Sequence, residues 1–239
     1  MNNNFLAGKN AVVTGGTRGI GFAIAEALAL AGANIAICGR DRARLENAVR
    51  QLTNRSQSKV VGKLADVSDD TEVARLFAFV DEELGGPDIV VNNAGIGIFR
   101  SAAELSVEEW RKTLQTNLSG AFYCCREALP RLKKRGGGYI INIGSLAGKN
   151  AFAGGAAYNA SKFGLDGFSE AVMLDSRYDN VRVSHIMPGS VDTEFSPGSG
   201  RADWKIAPED VAEIALMLLR LPVRTLVSRV EVRPSKPQK

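Results

Sequence analysis

The sequence has few of the side chains that hold metals or form disulfides, with one histidine and three cysteines in 239 residues. Cys38, Cys124 and Cys125 show no C-x-x-C spacing, and an odd count is a poor disulfide framework, so we expect reduced, buried thiols. His185 lies inside the apolar run VRVSHIMPG, which predicts a strand residue. With a single histidine, a histidine metal site or a serine–histidine hydrolase would need partners from elsewhere in the sequence, so we predict no metal site.

Long apolar runs and clusters of one charge sign are also missing. No stretch approaches the roughly 18 consecutive apolar residues that a membrane span needs, and the N-terminus lacks the basic and apolar regions of a secretory signal. The net charge is +4, but the lysines and arginines are scattered, so we expect no nucleic-acid partner. We therefore expect a cytoplasmic protein with no membrane partner, whose mild positive charge suits a phosphorylated cofactor.

Short apolar runs alternate with longer amphipathic ones, a pattern typical of βαβ units. The runs AVVT, IAIC, DIVV and YIINI are apolar at nearly every position, as in strands covered on both faces. The pattern predicts one α/β domain over residues 1–239, with a Rossmann-like, doubly wound, mainly parallel sheet of seven strands and helices on both faces. Residues 1–8 and 233–239 are predicted to fray. Helix boundaries are predicted at the N-caps Asp41, Ser68 and Ser106, at the terminating glycines Gly32 and Gly85, and at Pro208 inside a helix start.

The first predicted strand runs directly into the glycine-rich stretch TGGTRGIG, and a helix follows. Glycines let the backbone turn tightly and approach a pyrophosphate, whose charge is met by the helix N-terminus. The glycines fall at Gly15, Gly19 and Gly21, so their spacing departs from the common G-x-G-x-x-G fingerprint. We predict a dinucleotide-binding loop here.

The end of the second predicted strand, ICGR, indicates which dinucleotide binds. An acidic side chain at this place binds a ribose hydroxyl, whereas an arginine accommodates a 2'-phosphate. Arg40 stands there and Arg18 of the glycine loop can reach the same region, so we predict NADP(H). Asp41 could instead bind a ribose, although we interpret it as an N-cap.

The stretch YNASK places Tyr158 and Lys162 four residues apart, on one face of a helix. Alone, such a pair could equally lie on an ordinary exposed helix. It follows, however, the motifs TGGTRGIG, ADV, NNAG, TNLSG and INIGS, it precedes PGSVDT, and Ser145 stands thirteen residues before Tyr158. In this order the motifs resemble the short-chain dehydrogenase/reductase family from about Lys9 to Val232, in particular its NADP-dependent 3-oxoacyl-carrier-protein-reductase-like members.

The resemblance implies four catalytic residues. Tyr158 is the expected general acid/base, and Ser145 is expected to hydrogen-bond the substrate oxygen. Lys162 is expected to favour the phenolate and to hold the nicotinamide ribose. Asn117 is implied to hold a water that links Lys162 to solvent, although it could instead be a helix-kinking residue with a structural hydrogen bond.

The resemblance also implies the cofactor contacts. Asp66 and Val67 are expected at the adenine, and Asn93, Ala94 and Gly95 near its ribose, although Asn92 and Asn93 could instead support the sheet. The full expected set is Gly15, Thr17, Arg18, Gly19, Ile20, Gly21, Arg40, Asp66, Val67, Asn93, Ala94, Gly95, Tyr158, Lys162 and, around the nicotinamide, Pro188, Gly189, Val191 and Thr193.

The chain departs from many family members after its sixth strand. The segment 194–207 is short for a substrate lid, and the chain ends VEVRPSKPQK instead of in a VNGG-like turn. Six side chains could line the substrate pocket or belong to the core: Ile96, Phe99, Leu146, Phe152, Phe195 and Trp204. They do not identify the substrate.

The sequence therefore predicts an NADPH-dependent oxidoreductase that acts on a ketone, an aldehyde or the corresponding alcohol, with a 3-oxoacyl thioester among the candidates. The alternative is a non-catalytic NADP(H)-binding regulator or interaction protein on the same fold. By resemblance we expect a homodimer or homotetramer, paired through helices near Ser106 to Lys134 and Ala156 to Tyr178.

Overall fold

The computed structural model describes residues 4–195 and 202–237. Its centre is one seven-stranded sheet with all neighbouring strands parallel, in the order β3-β2-β1-β4-β5-β6-β7. The strands are β1 (Asn10–Thr14), β2 (Asn34–Gly39), β3 (Val60–Leu64), β4 (Ile89–Asn92), β5 (Gly138–Ile143), β6 (Val181–Pro188) and β7 (Arg229–Val232). The predicted doubly wound, Rossmann-like fold is confirmed.

Seven α-helices cover the sheet in the described ranges. They are α1 (Gly19–Leu30), α2 (Arg42–Arg55), α3 (Asp70–Leu84), α4 (Val107–Leu114), α5 (Gly120–Lys134), α6 (Ala156–Ser176) and α7 (Pro208–Arg220). One apolar core lies between the sheet and α1, α2 and α7, and a second lies between the other face and α3, α5 and α6. Neighbouring residues of β1 alternate between them, since Ala11 and Val13 belong to the first core and Val12 to the second.

Most of the predicted helix boundaries are confirmed. The Asp41 carboxylate accepts a hydrogen bond from the Arg44 N–H and caps α2, Ser106 forms a capping box with Glu109, and Pro208 is the first residue of α7. Gly85 ends α3 with a left-handed φ of 78°. The prediction for Ser68 is wrong.

The N-cap of α3 is Asp69, one residue after Ser68. Its carboxylate accepts hydrogen bonds from the N–H groups of Thr71 and Glu72, as an N-cap side chain does. Ser68 is engaged elsewhere, because its hydroxyl and N–H both donate to the Asp66 carboxylate.

The described residues next to both chain ends contact the rest of the fold. Leu6 is buried and its N–H donates to the Ala31 carbonyl, while the guanidinium of Arg220 lies 4.8 Å from the centre of the Phe5 ring. Phe5 and Leu6 thus pack on the first core, and beyond β7 Arg233, Pro234 and Pro237 line the central cavity. The fraying predicted for residues 1–8 and 233–239 stays a prediction, and residues 1–3, 238 and 239 lie outside the described residues.

Candidate active site

A cavity of about 1400 Å³ opens at the carboxyl ends of the parallel strands. Its centre is the place where the strand order reverses between β1 and β4, the usual ligand site of such sheets. Every predicted site residue lines this cavity except Gly21 and Asn117. The six candidate pocket residues line it as well.

The glycine loop has the backbone conformation that glycine alone adopts easily. Gly15 and Gly19 have φ values of 63° and 54°. Gly21 acts indirectly, because a Cβ atom there would overlap the Gly15 carbonyl and the Asn93 amide. Helix α1 starts at Gly19, and the side chain of its N-cap residue, Arg18, makes no capping hydrogen bond. The helix N-terminus is thus arranged to meet an anion.

The asparagines after β4 support the backbone around this loop. The Asn93 amide donates to the carbonyls of Thr14 and Gly15 at 2.9 and 3.2 Å, and the Asn92 amide donates to Asn142 Oδ1 at 2.8 Å. The alternative interpretation, sheet support, therefore describes both side chains. Asn93 still lines the cavity, beside Ala94.

Three arginines line the cavity beyond the end of β2. Arg40 Nη1 lies 3.4 Å from Asp66 Oδ2, and Arg18 Nη1 lies 2.8 Å from Glu194 Oε2. The third is Arg44, whose Nη1 lies 3.9 Å from Glu194 Oε2. The sequence analysis did not predict it, although its position in the first turn of the helix after β2 was a signal that could have found it. The three guanidiniums thus place positive charge on the cavity wall near the end of β2, and the carboxylates of Asp66 and Glu194 partly balance it.

The Asp66 side chain stays ionised in these surroundings. Burial raises the pKa of its carboxyl, but hydrogen bonds from Ser68 and the nearby Arg40 guanidinium outweigh burial and lower the pKa below its ordinary value. Asp66 is therefore a hydrogen-bond acceptor on the cavity wall.

Tyr158 and Lys162 lie in the first two turns of α6, next to Ser145 after β5. Ser145 lines the cavity with Tyr158, and its side chain lowers the pKa of the Tyr158 phenol. Lys162 Nζ donates to the Ile143 carbonyl at 3.0 Å and lies 5.8 Å from the centre of the Tyr158 ring. Both side chains are buried, at 9% and 6% exposure, although both line the cavity.

Burial controls the protonation of this pair. It raises the pKa of the Tyr158 phenol above its ordinary value, and the hydrogen bond with Ser145 offsets this only in part. Burial also lowers the pKa of Lys162 to about 8. Burial thus opposes the phenolate that Lys162 is expected to favour, and that role of Lys162 stays a prediction. At neutral pH the phenol carries its proton.

Asn117 lies in a π-helical segment, Gln115–Ser119, between α4 and α5. Its amide donates to the Ile96 carbonyl at 2.9 Å and to Ser161 Oγ at 3.0 Å, and its Oδ1 accepts from the Ile96 N–H at 2.8 Å. These contacts fit the structural alternative that the sequence left open, and the water-holding role of Asn117 stays a prediction.

Thr116 is a second residue that the sequence did not indicate, and its position before Asn117 gave no signal. It lines the cavity, and its buried hydroxyl has no hydrogen-bond partner among the described residues. Buried hydroxyls are usually paired, so this group is available to a bound molecule.

The remaining sequence predictions concern the histidine and the cysteines, of which Cys38 also lines the cavity. His185 lies in β6, and its Nδ1 is 3.0 Å from Asp166 Oδ1. The three cysteines are free and buried, and burial raises the pKa of each thiol. Within residues 4–195 and 202–237 there is no group of side chains suited to a metal ion. Nowhere in those ranges does a helix combine the length and the apolar character that a bilayer crossing requires.

The chain belongs to the short-chain dehydrogenase family, because the family model described as short chain dehydrogenase matches residues 9–203. An uncharacterized oxidoreductase of Staphylococcus saprophyticus is 36% identical over 96% of this chain and 98% of its own length. An uncharacterized oxidoreductase of Staphylococcus aureus is 34% identical over 96% and 98%. The predicted oxidoreductase class is therefore confirmed.

Two solved structures of similar proteins contain nucleotides. An alcohol dehydrogenase from the archaeon Thermococcus sibiricus, complexed with 5-hydroxy-NADP, has a TM-score of 0.89 and 32% identity and covers 97% of this chain and 99% of its own. A metagenomic short-chain oxidoreductase in complex with NADP has a TM-score of 0.86 and 34% identity, with the same coverage.

Proposed function

We propose that the protein is an NADPH-dependent carbonyl reductase that interconverts a ketone or aldehyde with its alcohol. The observation that carries the proposal is a buried phenol, Tyr158, which lines one cavity together with Ser145, Lys162 and the arginines Arg18 and Arg40. This combination joins an acid/base group to a place for an anionic dinucleotide.

The residues of the cavity fit NADP(H). Gly15 and Gly19 leave room for a pyrophosphate at the start of α1, and Arg18, Arg40 and Arg44 offer guanidiniums to a 2'-phosphate. Both nucleotides seen in the similar structures are forms of NADP, which supports this choice. When bound, the cofactor supplies the hydride that reduces the carbonyl carbon.

Tyr158 gives its proton to the substrate oxygen while that oxygen gains charge, and the hydroxyl of Ser145 holds the oxygen by a hydrogen bond. Each reduction thus adds a hydride to carbon and a proton to oxygen, and the phenolate regains a proton from solvent. The phenol is protonated at neutral pH, as the proton donor of a reduction must be, and burial raises its pKa further. The ammonium of Lys162 stabilises the phenolate that forms.

Replacement of Tyr158 by phenylalanine tests the proposal. We expect Tyr158→Phe to lose NADPH oxidation by at least about a thousandfold with every carbonyl in a panel, because no other group replaces the proton donor. NADPH binding, followed by fluorescence, should change less than about twofold, since the ring still packs in place. Tyr178→Phe is the matched control, because Tyr178 is 91% exposed and does not line the cavity.

Two outcomes would contradict the proposal. Wild-type protein that oxidises NADPH with no carbonyl, but binds NADPH, would favour the alternative of a non-catalytic NADP(H)-binding regulator. Full activity of Tyr158→Phe would show that the proton comes from elsewhere.

We also propose a homodimer or homotetramer in the cytoplasm. Several large apolar side chains on α4, α5 and α6, or just after α6, are at least 39% exposed: Val107, Trp110, Phe122, Phe163, Leu174 and Tyr178. Exposed apolar side chains concentrated on neighbouring helices are typical of an interface between subunits. They fall on the helices predicted to pair.

A further inference from the structure

Three phenylalanine rings surround the phenol of Tyr158 on the substrate side of the cavity. The ring centres of Phe99, Phe195 and Phe152 lie 5.5, 5.8 and 6.4 Å from that of Tyr158. They come from three separate segments, after β4, β6 and β5, so no single helix or strand explains their meeting. All three line the cavity.

These rings are placed as a wall of the cavity and are not part of either core. Phe99, Phe152 and Phe195 keep 41%, 46% and 36% of their surface exposed, whereas large core side chains of this protein are almost fully buried. Their planes lie between 51° and 70° from that of Tyr158, so the edges and faces of the rings meet at an angle. An aromatic ligand can pack edge-to-face in such an arrangement.

Two glycines make this arrangement possible. A Cβ atom at Gly97 would lie 2.7 Å from the ring of Phe99 and 2.8 Å from that of Phe195, and one at Gly155 would lie 2.8 Å from Phe152. Any other residue at these positions would push the rings out of place. The rings can therefore pack directly against the backbone at Gly97 and Gly155 because neither residue has a side chain.

Cationic side chains also line the cavity, among them Lys162, Lys205 and Arg233, and Arg233 Nη2 lies 2.8 Å from Glu231 Oε2. The rings that contact the reacting phenol are all aromatic hydrocarbon rings of phenylalanine.

We infer that Phe99, Phe152 and Phe195 bind an aromatic ring attached to the substrate carbonyl, so that aryl ketones or aryl aldehydes are the preferred substrate class. This inference rests on the proposed function. A carbonyl oxygen between Tyr158 and Ser145 places its neighbouring substituent against the three rings. A ring there covers exposed phenyl surface and gains edge-to-face contacts that a saturated group of the same carbon skeleton does not make.

The test compares acetophenone with cyclohexyl methyl ketone, which differ in aromaticity but share a carbon skeleton. The measured quantity is the ratio of their kcat/KM values, and its change between wild type and a variant cancels the different reactivities of the two ketones. Phe99→Leu and Phe152→Leu should each lower the ratio about two- to tenfold, the value of one lost aromatic contact. Phe79→Leu is the control. Phe79 lies on α3, where its ring contacts the ammonium of Lys63, and it does not line the cavity.

An unchanged ratio in both variants would overturn the inference while leaving the carbonyl reductase proposal intact. Absence of turnover with either ketone would instead count against the proposed function. In that case saturation-transfer NMR of the two ketones with the wild type and NADP⁺ still decides the inference. Acetophenone should then bind more tightly than cyclohexyl methyl ketone, with the difference lost in Phe152→Leu; equal binding would refute the aromatic site.

Discussion

The carboxylate of Glu194 should oppose NADPH binding, because it occupies the arginines that we assign to the 2'-phosphate. Its Oε2 lies 2.8 Å from Arg18 Nη1 and 3.9 Å from Arg44 Nη1. A phosphate that approaches these guanidiniums must displace the carboxylate or accept its repulsion. The variant Glu194→Gln removes the charge and keeps the size of the side chain.

The expected gain is small, since both partners are largely exposed. The side chains of Arg18 and Glu194 are 52% and 75% exposed, and ion pairs of this kind contribute about 0.2–1 kcal/mol. Glu194→Gln should therefore tighten NADPH binding about two- to fivefold. Binding of NADH should stay nearly constant, because NADH carries no 2'-phosphate. Arg18→Ala and Arg40→Ala should weaken NADPH binding about ten- to a hundredfold each, as lost charge-assisted hydrogen bonds do.

The assay is a fluorescence titration of each variant with NADPH and with NADH at low and high salt. Glu46→Gln is the matched control, because Glu46 pairs with Arg42 and does not line the cavity, yet the variant changes the net charge equally. In the double variant Arg18→Ala/Glu194→Gln, Glu194→Gln should tighten NADPH binding less than it does in the wild type, because only Arg44 is then released from the carboxylate. Equal tightening of NADPH and NADH, or arginine variants that alter neither, would refute a phosphate site at these arginines.

Three further predictions concern stability, selectivity and assembly. Since burial lowers the pKa of Lys162 from 10.5 to about 8, the unfolded chain binds more protons between these values, and stability rises with pH there. Below pH 8, Lys162→Met should raise the free energy of unfolding by up to about 3 kcal/mol in urea titrations while it abolishes turnover; a loss of stability would contradict this. Gly39→Asp should shift the ratio of NADPH to NADH affinity toward NADH, and an unchanged ratio would argue against a ribose-phosphate site there. Light scattering should give a multiple of 25.5 kDa for the wild type and smaller particles for Phe163→Glu, whereas a wild-type monomer would refute the assembly.

The strands and the cavity were predictable because they depend on local rules. Runs that are apolar at nearly every position are typical of buried parallel strands, and the four quoted runs coincide with β1, β2, β4 and β5, except that Asp88 of DIVV precedes β4. The carboxyl ends of such strands meet at one edge, so motifs distant in sequence had to converge. Helix N-caps were predicted correctly where a single side chain determines the start of the helix, as Asp41 does for α2. At Ser68 two adjacent polar residues competed, and spacing could not choose between them.

The features that escaped prediction depend on contacts between distant segments. Arg44 and Thr116 looked like ordinary helix residues, and only the folded chain places them on the cavity wall. Asn117 carried the motif, but its amide is used by Ile96 and Ser161, whose positions the sequence could not give. Likewise, six apolar residues were named without a decision between core and pocket, because exposure is a property of the fold.

Spacing and burial act in opposite directions on the protonation of Tyr158. A lysine one helical turn away attracts a phenolate, but Phe99 and Phe195 contact the Tyr158 ring, and Tyr158 and Lys162 are both buried. Desolvation then disfavours each charge separately, so the phenol keeps its proton and the amine holds its charge weakly. The rings that we propose select an aryl substituent therefore also help to raise the pKa of the Tyr158 phenol. A variant that opens this wall, such as Phe99→Ala, should shift the pH profile of reduction to lower pH as well as weaken binding, because readmitted water stabilises the phenolate. A change in substrate preference without a shift in the pH profile would separate the two roles and refute this coupling.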